Sequence, residues 1–83
     1  MYYVYVLKSL SSNRVYVGYS ADLKERYNSH KEGKVKSTKG YLPWKLAYYE
    51  SYSSKLDATK REKQLKMHAV KSALVEQIKL SLA

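Results

Sequence analysis

Five side chains of types that handle protons, phosphate or metal ions are spread along this 83-residue chain. Tyr5 and Tyr16 stand eleven residues apart, Arg26 follows ten residues after Tyr16, His30 four residues after that, and Glu62 lies far downstream. On a helix, Arg26 and His30 at i, i+4 would sit one turn apart on one face. A guanidinium offers a planar fork that grips an anionic oxygen pair, and an imidazole can give or take a proton near neutrality. A tyrosine phenol, with a reference pKa of about 10, must be oriented or have its anion favoured by nearby positive charge before it can serve as a base. Glu62 interrupts a stripe of Ala58, Leu65 and Ala69 at helical spacing, which would make it a half-buried carboxylate able to hold a hard divalent cation through oxygen. Each residue also has a plainer reading. Strand tyrosines pack, a lone helical histidine is polar filler, an arginine is a solvated charge, and Glu62 can pair with Lys66 one turn on for a few tenths of a kcal/mol. Residue type alone leaves both readings open.

The elements that must carry these residues follow from local pattern. Tyr2–Leu7 is an aromatic and β-branched run whose continuous apolarity predicts a strand buried on both faces. After the polar cluster 8–13, Arg14–Gly18 resumes strand chemistry, giving a hairpin. Helical signals run from Asp22 to about Glu32, with Asp22 and Glu25 spaced as a capping pair, Leu23 and Tyr27 as the buried stripe, and Gly33 as the stop. Residues 34–45 hold Lys34, Lys36, Lys39 and Lys45 among Ser, Thr, Gly and Pro, and predict a mobile basic surface loop. A third strand is expected over Trp44–Ser51, then a helix start at Ser53-Ser54 and helix to the end of the sequence, broken near Met67–Ala69. The order β-β-α-β-α-α predicts an α/β (α+β) domain with a small three-stranded mixed or antiparallel sheet flanked by helices. Local pattern does not place the third strand.

Composition bounds the function. Sixteen Lys and Arg against seven Asp and Glu give a net charge of +9, the footprint of a protein that meets phosphates. There is no Cys, so disulfides, thiolate metal sites and a thiol nucleophile are excluded. The length supports one domain, residues 1–83, with one modest core. No apolar run approaches a membrane span and the N-terminus lacks a signal-peptide pattern, so a soluble, cytoplasmic protein is expected, with association to the nucleoid as a variant. There is no Walker loop, no His-Glu-x-x-His, no nucleophile elbow and no zinc spacing.

Taken jointly, the residues resemble the GIY-YIG nuclease superfamily over about residues 1–75. The first motif ends on Tyr5 in Tyr3-Val4-Tyr5, the second is Tyr16-Val17-Gly18, the helix carries Arg26 and His30, and the later helix carries Ala58, Glu62 and Lys66. The chain looks most like short, single-domain members, similar to the nuclease domain of the excision-repair incision subunit. It departs from the pattern in lacking Gly-Ile before Tyr5, in Tyr19 where some relatives have Lys, and in Met67-His68-Ala69-Val70 where many have Trp and Arg.

The resemblance implies metal-dependent hydrolysis of DNA phosphodiesters with one Mg²⁺ or Mn²⁺ on Glu62. Arg26 would clamp the scissile phosphate, Tyr5 or Tyr16 would position or deprotonate water, and His30 would assist. Gly18, Tyr19, Lys36, Lys39 and Lys66 are the expected substrate contacts, and Tyr19 and Tyr41 are expected to flank the cleft and stack on bases. No groove-reading element is evident, so structure or damage, or a targeting protein partner, would direct the enzyme. A non-catalytic nucleic-acid-binding module and an RNA- or ribosome-associated basic protein remain the alternatives. Pure binding has no need of Arg26 and a buried Glu62 together.

Overall fold

A computed structural model describes all 83 residues, Met1 to Ala83. The sheet has three strands, β1 (Tyr2–Ser9), β2 (Val15–Ser20) and β3 (Trp44–Tyr52), in the order β2-β1-β3 with both pairings antiparallel. The third strand therefore joins the free edge of β1, and β1 is central. That placement explains its unbroken apolar run, because Val4, Tyr5, Val6 and Leu7 are each no more than 1% exposed. A bulge at Ala47 shifts the register, so that Val6 faces Tyr48 and Leu7 faces Leu46.

Alternation along the strands divides the core in two. Val4, Val6 and Val17 point to the face covered by α2 (Lys55–Leu65), α3 (His68–Gln77) and the short α4 (Lys79–Leu82), where they pack with Ala58, Leu65, Leu74 and Ile78. Tyr5 and Leu7 point to the other face, under α1 (Leu23–Lys31), with Trp44, Tyr16, Leu23 and Tyr27. The fold is thus the expected α+β sheet flanked by helices, with one 3₁₀ turn (Lys39–Tyr41) and α4 beyond the expected order.

The helix boundaries follow their caps. The Asp22 carboxylate accepts from Glu25 N at 3.1 Å to start α1, and Gly33, at φ +73°, ends it in a conformation that disfavours side chains. Ser54 caps α2 by accepting from Asp57 N. Extended backbone at Met67 separates α2 from α3. This break ends the small-residue stripe early: Ala58 and Leu65 are fully buried, but Ala69, expected on the same face, is exposed because the chain has turned before reaching it. No helix is long and apolar enough to cross a membrane.

On the α2 face a polar cluster fixes α2 to the edge strand. Tyr48, Glu50 and Tyr52 alternate along β3 toward this face, and Arg61 reaches Glu50 with Nε at 2.9 Å and an Nη at 3.0 Å. The Tyr48 and Tyr52 hydroxyls donate to the two Glu50 oxygens at 2.5 Å each. Burial pushes the Glu50 carboxyl up, but Arg61 and the two phenols outweigh it and hold the group below the ordinary carboxylate range. Nothing in the sequence pattern joined Arg61 to Glu50.

The basic segment 34–45 is anchored rather than free, against expectation. Thr38 is fully buried, Trp44 donates its indole N–H to the Thr38 carbonyl at 2.7 Å, and the Ser9 hydroxyl donates to the Tyr41 carbonyl at 2.7 Å. The cause is Trp44, whose ring fills the core and whose N–H must find an acceptor there. Composition made the segment look solvated. One buried indole ties it down.

Candidate active site

Tyr5 sits at the middle of the central strand, and its ring crosses its β2 partner, Gly18. A Cβ on Gly18 would stand 2.4 Å from the Tyr5 Cζ and hydroxyl oxygen, so only glycine fits beneath the ring. Gly18 was expected to touch substrate. It is buried under Tyr5 and acts as its seat instead.

From that seat the Tyr5 hydroxyl meets α1. It lies 2.8 Å from His30 Nε2 and 3.4 Å from Arg26 Nε. His30, which sequence alone would place at the surface, is fully buried, with Nδ1 2.8 Å from the Thr38 hydroxyl. Arg26 Nε–H can only donate, so the Tyr5 oxygen accepts from it, while the direction of the Tyr5–His30 and His30–Thr38 bonds turns on the His30 tautomer. The Thr38 hydroxyl can donate to the Val35 carbonyl at 3.4 Å, which leaves its oxygen to accept from Nδ1–H. No buried side-chain polar atom in the molecule is left without a partner.

The electrostatics match this neutral chain of donors. Burial, reinforced by the neighbouring Tyr16 and Glu62 and opposed by Arg26, pushes the Tyr5 phenol up to about 12. Burial, with the Arg26 charge adding to it, pushes His30 down to about 4. At neutral pH Tyr5 is a phenol and His30 an uncharged imidazole. Arg26 is the charged end of the chain, made a still weaker acid first by its bond to Tyr5, and it is half-exposed.

Tyr16 stands beside this chain but reaches solvent. Its ring centre is 5.1 Å from that of His30, 6.4 Å from that of Tyr5 and 6.5 Å from that of Trp44, and it is an electrostatic neighbour of Arg26. Tyr16 also forms one wall of a cleft of about 560 Å³, shared with Arg14, Ser37, Tyr41, His68 and Lys71. Glu62 approaches from α2: its charge is felt at Tyr5, its side chain is 23% exposed, and Lys66 pairs with it at 3.1 Å. Tyr5, Tyr16, Arg26 and His30 thus meet at one site, and Glu62 acts on it through its charge.

The expected substrate contacts divide. Lys36 and Lys39 are exposed on the anchored segment, and Lys66, exposed on the turn after α2, pairs with Glu62. Tyr41 lines the cleft, with the Arg14 guanidinium 4.3 Å above its ring. Tyr19 does not share the cleft. Strand alternation turns it to the α2 face, where it stacks on Tyr2 with ring centres 6.5 Å apart. Thr38 was absent from the sequence-based set, since a threonine in a polar run carries no periodic signal.

The chemistry of this cluster can be compared with known proteins. The model of the GIY-YIG catalytic domain matches residues 1–72. A UPF0213 protein of Streptococcus agalactiae serotype V is 44% identical over 61 residues, covering 72% of this chain and 68% of that protein. A UPF0213 protein of Staphylococcus haemolyticus is 39% identical over 66 residues, covering 78% and 79%. Among solved structures, the solution NMR structure of a UPF0213 protein from Bacillus halodurans superimposes with a TM-score of 0.58 at 32% identity, covering 93% of this chain and 85% of that one. A tyrosine pair on a hairpin, an arginine and histidine on the next helix and a later glutamate all fall within a domain match of this length, and the chain belongs to the GIY-YIG catalytic domain family, a family of nucleases.

Proposed function

We propose that the protein is an endonuclease that hydrolyses phosphodiester bonds of DNA with the help of one divalent metal ion. The observation that carries this reading is Arg26, held by a buried phenol at its Nε and half-exposed, beside a solvent-reaching tyrosine. A phosphate set against Arg26 would find preorganised positive charge that needs no reordering as negative charge builds on the oxygens.

The two tyrosines divide the work. Tyr5 is 1% exposed and its proton is committed to His30, so it positions Arg26 and does not meet water. Tyr16 is half-exposed at the mouth of the cleft, and its oxygen orients the attacking water toward the phosphorus. His30 keeps Tyr5 in place. Lys36 and Lys39 offer charge to backbone phosphates, which favours DNA structure or damage over base sequence as the determinant of cutting.

The donor set suits a hard cation. Glu62 supplies carboxylate oxygen, and no cluster of three or more His, Cys, Asp or Glu side chains surrounds it. A single carboxylate completed by water and substrate phosphate is the way Mg²⁺ is commonly held. When bound, the ion would neutralise charge on the phosphate and leaving oxygen. Lys66, now paired with Glu62, would release the carboxylate and turn to the phosphate.

Incubation with nicked, branched and single-stranded DNA in Mg²⁺ or Mn²⁺, beside Glu62→Gln, tests the reading. Metal-dependent cleavage that Glu62→Gln removes while DNA binding persists is the expected result. Binding without cleavage on every substrate would leave a non-catalytic module.

A further inference from the structure

We propose that Thr38 is a positioning residue of this site: by accepting the His30 Nδ1 proton it fixes the tautomer that leaves Nε2 free to accept from Tyr5, and through Tyr5 it sets the direction of Arg26. The consequence for catalysis rests on the endonuclease reading. The consequence for the imidazole does not.

Thr38 is held independently of the role assigned to it. Its carbonyl accepts the Trp44 indole N–H at 2.7 Å, its N–H donates to Val35 O at 3.1 Å, and it is fully buried. The hydroxyl is thus delivered to His30 Nδ1, 2.8 Å away, by backbone anchors that survive its replacement. A neutral imidazole carries one proton and one lone pair, and the partner of one nitrogen decides which nitrogen is which. With Thr38 accepting at Nδ1, Nε2 presents a lone pair to Tyr5, and the Tyr5 proton has somewhere to go. The Tyr5 oxygen can then receive Arg26 Nε–H, 3.4 Å away.

Without the Thr38 hydroxyl, a buried Nδ1–H would lack an acceptor, and the imidazole is driven to the Nε2–H form. Nε2–H and Arg26 Nε–H would then compete for one phenol oxygen whose own proton has lost its acceptor. The guanidinium loses its fixed partner without any direct change to Arg26. A chain of donors pointing one way is also self-reinforcing, because each bond polarises the next.

Thr38→Val keeps the branched shape and removes the acceptor, while Thr38→Ser keeps the acceptor and removes a methyl. Long-range ¹H–¹⁵N spectra of the full chain read the His30 tautomer directly. Wild type and Thr38→Ser are expected to show Nδ1–H, and Thr38→Val a shift to Nε2–H with thermal unfolding still cooperative. On any DNA substrate the wild type cuts, Thr38→Val is expected to lose about 10–100-fold in kcat with KM little changed, and Thr38→Ser to recover most of it. An Nε2–H tautomer in wild type overturns the proposal, as does a Thr38→Val protein that keeps Nδ1–H or keeps full kcat. If Thr38→Val does not fold, the wild-type and Thr38→Ser spectra still decide the tautomer. If wild type cuts no DNA, the endonuclease reading fails while the tautomer shift still stands or falls alone.

Discussion

Both faces of the sheet bury tyrosine hydroxyls next to charge, yet they do so to opposite ends. On the α2 face, Glu50 receives Tyr48, Tyr52 and two of the three guanidinium nitrogens of Arg61, so the carboxylate at the centre of the cluster is filled from within it. On the α1 face, the series from Thr38 through His30 and Tyr5 ends on Arg26, whose remaining N–H groups are not consumed. A closed network can only hold elements together. An open one, rigid at its buried end and cationic at its surface end, can act on something else. The residue types are nearly the same on the two faces, and what separates structure from chemistry is whether the hydrogen-bond series closes.

Five measurements would break or sharpen this contrast. Arg26→Ala should lower the cleavage rate by about 10²–10³-fold, the usual loss when one preorganised charge-stabilising donor is removed, and change stability by no more than about 1 kcal/mol. Equal losses of activity and stability would make the α1 face as structural as the α2 face. Gly18→Ala should destabilise by about 3 kcal/mol in thermal unfolding, because the Tyr5 ring above it is buried and bonded and cannot move aside. Gly40→Ala, where nothing lies within 4 Å of the added carbon, should be within about 0.5 kcal/mol of wild type.

Acid provides the third. His30 takes up a proton only near pH 4 when folded, but near 6.5 when unfolded, so the unfolded state holds more protons between those values. Stability should therefore fall, by on the order of 2 kcal/mol, as pH drops from 6.5 to 4, visible as a lower urea midpoint. His30→Asn should flatten that window. Any loss owed to Glu50, whose carboxyl is depressed, should begin only as pH falls below about 4.3. Glu50→Gln, fourth, strands a charge on Arg61 and should cost about 1–2 kcal/mol, less than for a fully buried pair because the Arg61 side chain is 29% exposed. Glu50→Leu with Arg61→Met should recover most of it, as a purely structural network allows. The smallest effect is expected at Lys36 and Lys39: each alanine change should flatten the salt dependence of DNA affinity by about 0.9 in log–log slope and leave site selection unchanged.

The sequence made some of this legible and not the rest, for physical reasons. Strand and helix spans, the caps at Asp22 and Ser54, the stop at Gly33 and the break near Met67 are local, and the chain writes them in neighbouring residues. The grouping of Tyr5, Tyr16, Arg26 and His30 came from their order as motifs, since no periodicity joins the hairpin to α1. The burial of His30 and Thr38 was not legible, because it depends on where Trp44 puts its indole, a contact made across the fold. The cluster of Tyr48, Glu50 and Tyr52 with Arg61 was not legible either, because the expected strand stopped at Ser51 and Arg61 meets it from another element. Tyr49 lies in the apolar run of the third strand yet is 54% exposed, since β3 is an edge strand and that face there is only partly roofed by α1.

β1 is made first and yet lies at the centre of the sheet, and this sets the sequence of events in folding. Its partner β2 follows after a five-residue connection, so the hairpin can close in about 1–10 μs. The other partner, β3, begins only at Trp44, and joining it closes a much longer loop. Trp44 also carries the N–H that brings Thr38 down onto His30. A nascent chain that has built the hairpin and α1 therefore owns Tyr5, Tyr16, Arg26 and His30 but lacks the Trp44 anchor that holds Thr38 against His30. Assembly of the sheet and the seating of Thr38 on His30 are one late step, taken when the last strand arrives.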